Sequence, residues 1–133
     1  MMYNVPTAIV VDDDRDTVDL FCEYLSIINI KVLGRGHNGL EAVELYEKYK
    51  PDIVFLDLLM PDYDGLFGLE NIREINPDAY VVFITAVVDK GRKDKIENLR
   101  PNHIIHKPFD PDQFVQIVSE VNAIKSGQKA QLH

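Results

Sequence analysis

Apolar residues along this chain follow two alternating rhythms. Short unbroken runs at 8–11, 53–56, 81–84 and 104–105 have the length of buried strands, and between them apolar positions recur every three or four residues, as on one face of a helix. After the first run, Val18, Phe21, Cys22, Leu25 and Ile28 mark a helix starting near Asp14. Residues 30–33 read as a short second strand ending at Gly34. Asn38 is placed to cap the next helix, with Glu41 closing a capping box and Ala42, Leu45, Tyr46 and Tyr49 on its inner face, before Pro51 stops it. The third strand delivers Asp57 to a loop, 58–64, that leads into a helix through Leu66, Leu69, Ile72 and Ile75, ended by Asn76-Pro77-Asp78. The fourth strand spans 80–85. The segment 87–100 is the least helical of the expected helices, being highly charged and containing Gly91, with Ile96 and Leu99 as its anchors. A fifth strand, 103–106, precedes Asp110, Pro111 and Gln113, which start a last helix with Phe114, Ile117, Val118, Val121 and Ile124 inward.

Five strand-then-helix repeats predict an α/β fold, a doubly wound five-stranded parallel sheet in the order 2-1-3-4-5 with helices on both faces. In such sheets ligands bind where the strands end. The strand ends carry Asp12 and Asp13, Asp57, Thr85, and His106-Lys107-Pro108. Three converging carboxylates repel one another unless a divalent cation joins them, and an oxygen-only set with room for water and phosphate suits Mg²⁺. Asp13 and Asp57 are the expected direct ligands, with Asp12 acting through water. A carboxylate can also be a covalent nucleophile toward phosphorus when cations neutralise the incoming group, and Asp57 is the candidate, with the Lys107 ammonium and Thr85 hydroxyl stabilising phosphoryl oxygens. Taken singly these residues have plainer readings: an Asp after a strand caps a helix, as expected for Asp14, and Thr85 or Lys107 is a strand end or a surface charge. Their placement after separate core strands favours a shared site.

The 133 residues suit one domain, 1–125, followed by a short polar tail, 126–133. A hydrophobic share of 46% and a charged share of 27% exclude wholesale disorder. The net charge of −8 argues against generic nucleic-acid binding. The lone Cys22 precludes an intrachain disulfide, and no export signal or membrane span is legible, so a cytoplasmic location is expected. His37, His103, His106 and His133 have no metal-ligand spacing.

The chain resembles the response-regulator receiver domains of two-component signalling, including the chemotaxis regulators, over about residues 7–124. The resemblance is carried by Ile9-Val10-Val11-Asp12-Asp13-Asp14, Asn38-Gly39-Leu40-Glu41-Ala42, the stretch from Pro51 to Pro61 around Asp57, Asp64-Gly65, Thr85-Ala86 and Lys107-Pro108-Phe109. It implies a flavodoxin-like fold and a phosphoacceptor Asp57, supplied by a sensor histidine kinase or histidine phosphotransfer protein. It also implies Mg²⁺ on Asp12, Asp13, Asp57 and the Leu59 backbone carbonyl, Thr85 and Lys107 on the phosphoryl group, and a cis bond before Pro108. Output would pass to a protein target or a second copy through the face of the fourth helix, fifth strand and fifth helix. A stand-alone regulator is the simplest expectation, a receiver cut from a longer chain the alternative.

Three departures from the family pattern stand out. Ile104 occupies the position usually held by a switching aromatic, and Leu99-Arg100-Pro101-Asn102 replaces a small Gly-Ala pair. Leu59 and Val87 are apolar where family members tune hydrolysis, which implies slow loss of phosphate. The fourth helix region gathers Lys90, Arg92, Lys93, Lys95 and Arg100, five of the 14 basic residues, as a solvated face or an acidic-partner site. Two competing functions remain: a pseudo-receiver that works without phosphate, motivated by Ile104, and an aspartyl-phosphate phosphatase. The phosphatase is disfavoured because Leu59 stands where a general acid-base would be needed.

Overall fold

The computed structural model describes residues 5–86 and 90–131. Strands β1 (Thr7–Val11), β2 (Lys31–Gly36), β3 (Ile53–Leu56), β4 (Val81–Thr85) and β5 (His103–His106) alternate with helices α1 (Arg15–Ile27), α2 (Gly39–Tyr49), α3 (Gly65–Ile75), α4 (Lys90–Leu99) and α5 (Pro111–Gln131). The strands form one parallel sheet in the order β2-β1-β3-β4-β5, as the alternation predicts. Side chains alternate across it. Ala8, Val10, Phe55 and Val82 face α1 and α5, where Phe21, Leu25, Phe114 and Ile117 complete one core. Ile9, Val11, Val54, Leu56 and Phe83 face the other way, onto Ala42, Leu69, Ile72 and Ile96. Burial on both faces explains why β3 and β4 are wholly apolar up to their final position.

Local chemistry sets the helix starts. The carboxylate of Asp14 accepts from the Asp16 amide, Asn38 Oδ1 from Glu41, and Asp64 Oδ1 from Phe67, so each helix begins directly after its capping side chain. Asp110 does the same for α5 through the Asp112 amide at 3.0 Å.

Several boundaries differ from expectation. β2 continues two residues past Gly34, because Gly34, Arg35 and Gly36 keep pairing with Ile9, Val10 and Val11 of β1, and Leu45 of α2 packs where Gly34 lacks a side chain. The α4 helix begins at Lys90 within the described residues, and the expected positions 87–89, Val87 among them, lie outside those residues. α5 runs to Gln131, so most of the stretch read as a polar tail is helical, and its backbone continues the last helix. Residue Tyr49, expected inside, is 36% exposed, with the Lys48 ammonium 5.0 Å from its ring centre. Ile75 and Ile124, also expected inside, lie at the surface.

Candidate functional site

Each residue of the site is presented by the end of a buried strand. Asp12 and Asp13 follow β1, Asp57 follows β3, Thr85 closes β4, and Lys107 follows β5. Parallel pairing holds these ends level: the Asp57 amide donates to Val11 O at 2.9 Å, and the Lys107 amide to Thr85 O at 2.9 Å. Gly65 lets the loop after β3 turn tightly into α3, since a Cβ there would collide with the Asp57 carbonyl oxygen. Lys107-Pro108 is cis.

The carboxylates of Asp12, Asp13 and Asp57 offer oxygens within 4.8 Å of one another. Asp12 and Asp57 are buried and Asp13 is exposed, so the cluster is open to solvent on one side. Asp12 Oδ1 accepts from the Asp14 amide at 3.0 Å, which fixes the orientation of the carboxylate. Lys107 enters from the β5 side, its Nζ 2.8 Å from Asp12 Oδ2 and 3.6 Å from Asp57 Oδ2. Thr85 is 1% exposed at the same edge.

Electrostatics follow from this crowding. Burial first, and then the negative Asp12, push the Asp57 carboxyl up to about 6. Lys107 and the backbone N–H groups of Leu59 and Leu58 pull in the opposite direction without restoring the ordinary value. For Lys107, burial disfavours the ammonium, but its hydrogen bond to Asp12 and the charge of Asp57 outweigh that, and the net shift is upward. Two ionised carboxylates, a third at the rim and one lysine leave excess negative charge, which a hard divalent cation with oxygen ligands would neutralise. The donor set therefore fits Mg²⁺.

The structure brings Asp12, Asp13, Asp57, Thr85 and Lys107 to one edge, with Leu59 two residues beyond Asp57 and exposed. His103 faces away from this edge, its Nε2 2.8 Å from Glu120 Oε2, while Ile104 packs on the α4 side. A cleft of about 430 Å³ opens at the opposite edge of the sheet near Tyr46, Asp52 and Lys125. Its Asp52 accepts from the Thr7 amide and from Lys125, which ties β1, β3 and α5 together at that edge.

Sequence reasoning missed the support around α4. Arg73 of α3 donates to the carbonyls of Ala79, Leu99 and Arg100 and to Asn102 Oδ1 at 2.9–3.2 Å, closing the carboxyl end of α4. Arg100 there has a φ of 51°. No local pattern announces a lone arginine that binds carbonyls 26 and 27 positions away.

A parallel five-stranded sheet with a carboxylate cluster and a lysine at its carboxyl edge defines an open α/β domain of the class whose ligands bind where the strands end. Comparison with known proteins narrows it. The model of the response regulator receiver domain matches residues 8–119, and the chain belongs to that family of two-component signalling domains. It is 29% identical over 113 residues to the chemotaxis protein CheY of Halobacterium salinarum, covering 85% of this chain and 93% of that protein. A CheX-CheY-BeF3-Mg²⁺ complex from Borrelia burgdorferi aligns with a TM-score of 0.77 and 29% identity, covering 86% of this chain and 87% of that one. The signal receiver domain of a modulated diguanylate cyclase from Desulfovibrio desulfuricans shares the fold, with a TM-score of 0.83 at 22% identity and coverage of 94% and 99%.

Proposed function

We propose that this domain is a phosphoacceptor that takes a phosphoryl group onto Asp57 from a phosphohistidine of a sensor kinase or phosphotransfer protein, and signals by a change of surface conformation. The observation that carries this reading is the meeting of Asp12, Asp13 and Asp57 within 4.8 Å beside the Lys107 ammonium. The Mg²⁺-containing relative from Borrelia supports the cation.

Asp57 acts as the nucleophile: its oxygen forms a bond to phosphorus as the P–N bond to the donor imidazole breaks, the electron pair leaving with the imidazole. Mg²⁺, when bound, neutralises charge on the phosphoryl oxygens, and Asp12, Asp13, Asp57 and the Leu59 carbonyl are the residues that would hold it. The Lys107 ammonium, now closest to Asp12, gains a phosphoryl oxygen as a second acceptor, and the Thr85 hydroxyl supplies a further donor from β4. Movement of Thr85 toward that group would shift the chain leading to α4, so that the α4, β5 and α5 face reports the charge at Asp57 to a protein target or second copy. With Ile104 at the usual aromatic position, that face would respond through packing against α4 rather than through ring rotation.

Incubation with Mg²⁺ and acetyl phosphate, read by intact mass, tests this. Wild type gains one phosphoryl group, Asp57→Asn and chelator-treated protein gain none, and Lys107→Met slows uptake on the order of 100-fold. Equal labelling of Asp57→Asn, or phosphate-independent binding of every partner, would reject the assignment, the second result pointing to a pseudo-receiver.

A further inference from the structure

α4 is held unevenly along its length. Residues 90–95 are exposed except for the half-buried Arg92. The carboxyl half carries Ile96, which is buried, and Leu99, which is half-buried, both in the core that Leu69 and Phe83 share. Arg73 of α3 meets α4 at that end. Its Nη1 donates to Leu99 O at 3.2 Å and its Nη2 to Arg100 O at 3.1 Å, so the last turn has a charged donor. The same guanidinium is fixed to the sheet: Nε donates to Ala79 O at 2.9 Å and Nη2 to Asn102 Oδ1 at 3.0 Å. Asn102 in turn exchanges hydrogen bonds with the first residue of β4, its Oδ1 accepting from the Val81 amide and its amide donating to Val81 O. One side chain thus clamps the end of α4 to the start of β4.

Resting on the phosphoacceptor reading, we propose that Arg73 is the pivot of α4: when Asp57 is phosphorylated, the amino half of the helix swings while its carboxyl end stays clamped to β4. Arg73 touches no reacting atom and acts as a positioning residue for the helix. The two ends resist displacement differently. Moving exposed side chains through water breaks few contacts, whereas withdrawing the carboxyl end strips charge-assisted hydrogen bonds from a part-buried guanidinium and leaves carbonyls without their donor. The backbone ladder makes α4 a short rod, so a tilt of about 10° about its held end moves a residue about 10 Å away by about 2 Å. The swinging part bears Lys90, Lys93 and Lys95, all exposed, so a partner meets positive charges whose placement depends on the state of Asp57.

The test is a pair of distances from α2, measured by pulsed electron paramagnetic resonance between spin labels at exposed positions. One protein carries Glu47→Cys with Lys93→Cys and the other Glu47→Cys with Asn98→Cys, while the buried Cys22 stays unlabelled. Each is measured in Mg²⁺ with and without beryllofluoride, the anion of the CheX-CheY complex, whose binding is followed by fluorine NMR. The 47–93 distance is expected to change by about 2 Å and the 47–98 distance by less than about 1 Å. Adding Arg73→Gln should make the 47–98 distance change as much as the 47–93 distance, and Arg73→Lys, which lacks the planar fork, should do the same. A merely structural role would broaden both distributions equally with and without the anion. Should Arg73→Gln fail to fold, the two proteins that keep Arg73 still decide where α4 moves. Equal change at both positions in those proteins, no change at either with beryllofluoride bound, or an unaltered pattern in Arg73→Gln overturns the pivot and leaves the phosphoacceptor reading standing. Absence of bound beryllofluoride overturns both.

Discussion

Folding raises the Asp57 carboxyl from an ordinary 3.8 to about 6, so ionising it costs stability. Between those values the native protein holds the proton more tightly than the unfolded chain, and stability falls as pH rises across the window. Above about pH 6 the whole cost is present, at most on the order of 3 kcal/mol. Asp57→Asn is therefore expected to melt higher than wild type in metal-free buffer at about pH 8, with the advantage fading toward pH 4. Mg²⁺ should reverse the order at the higher pH by stabilising wild type more than the variant. Thermal denaturation at several pH values checks this, and a gain independent of pH would show that the charge of Asp57 is not its source. The position of Asp57 was legible in the sequence as the end of an apolar run. Its altered acidity was not, because burial and the field of Asp12 come from groups brought together only by folding.

Helices α1 and α2 carry their expected starting signals in Asp14 and Asn38, and Asp64, read from the sequence as a turn residue, caps α3 in the same way, each side chain accepting a backbone N–H of the first turn. α4 differs. It buries Ile96 and half-buries Leu99, and its carboxyl end is satisfied by Arg73 from another helix. Burial lowers the Arg73 pKa, but the guanidinium stays charged and its hydrogen bonds are charge-assisted. Replacing it with Gln should cost about 2–3 kcal/mol and leave those carbonyls without their partner. Hydrogen exchange checks the location of the effect: amides of 90–102 should exchange faster, while those of β1 and β3 keep their protection. Uniform acceleration throughout the sheet would mean that Arg73 supports the whole fold rather than the seat of α4. The Leu99-Arg100-Pro101-Asn102 segment, conspicuous in the sequence as a departure, thus acquires a structural reason. Its carbonyls and the Asn102 side chain form the acceptor set for one arginine, and Asn102 Oδ1 also accepts from the Val81 amide.

Two cores lie on opposite faces of one sheet, and β1 and β3 contribute to both. Long links reinforce the sheet. Lys125 of α5 reaches Asp52 before β3 at 3.1 Å, Asp52 accepts from Thr7 of β1, and Tyr80 donates to Glu120 at 2.6 Å. Cys22 reports on this packing, being 4% exposed inside the α1 core, with burial raising its pKa so that the reactive thiolate is suppressed. Thiol labelling in native buffer should therefore follow the opening of the protein, rise steeply across the denaturant transition, and slow further when Mg²⁺ binds the native state. Labelling of the native protein as fast as a free thiol would show instead that α1 opens by itself. Among the described residues no helix is long and apolar enough to cross a membrane.

The sequence alone determined the succession of elements, the caps at Asp14, Asn38 and Asp110, and the polar residues at the ends of β1, β3, β4 and β5. These depend on unbroken apolar runs, on a period of 3.6 residues and on side chains within a few positions of the groups they bind. Tertiary structure decided which of those residues meet. It set Lys107 closer to Asp12 than to Asp57, paired β2 with β1 past Gly34 and placed Arg73 at the end of α4. Such contacts join positions far apart in the chain. They arise from close packing and from charges removed from water, neither of which leaves a local period to read.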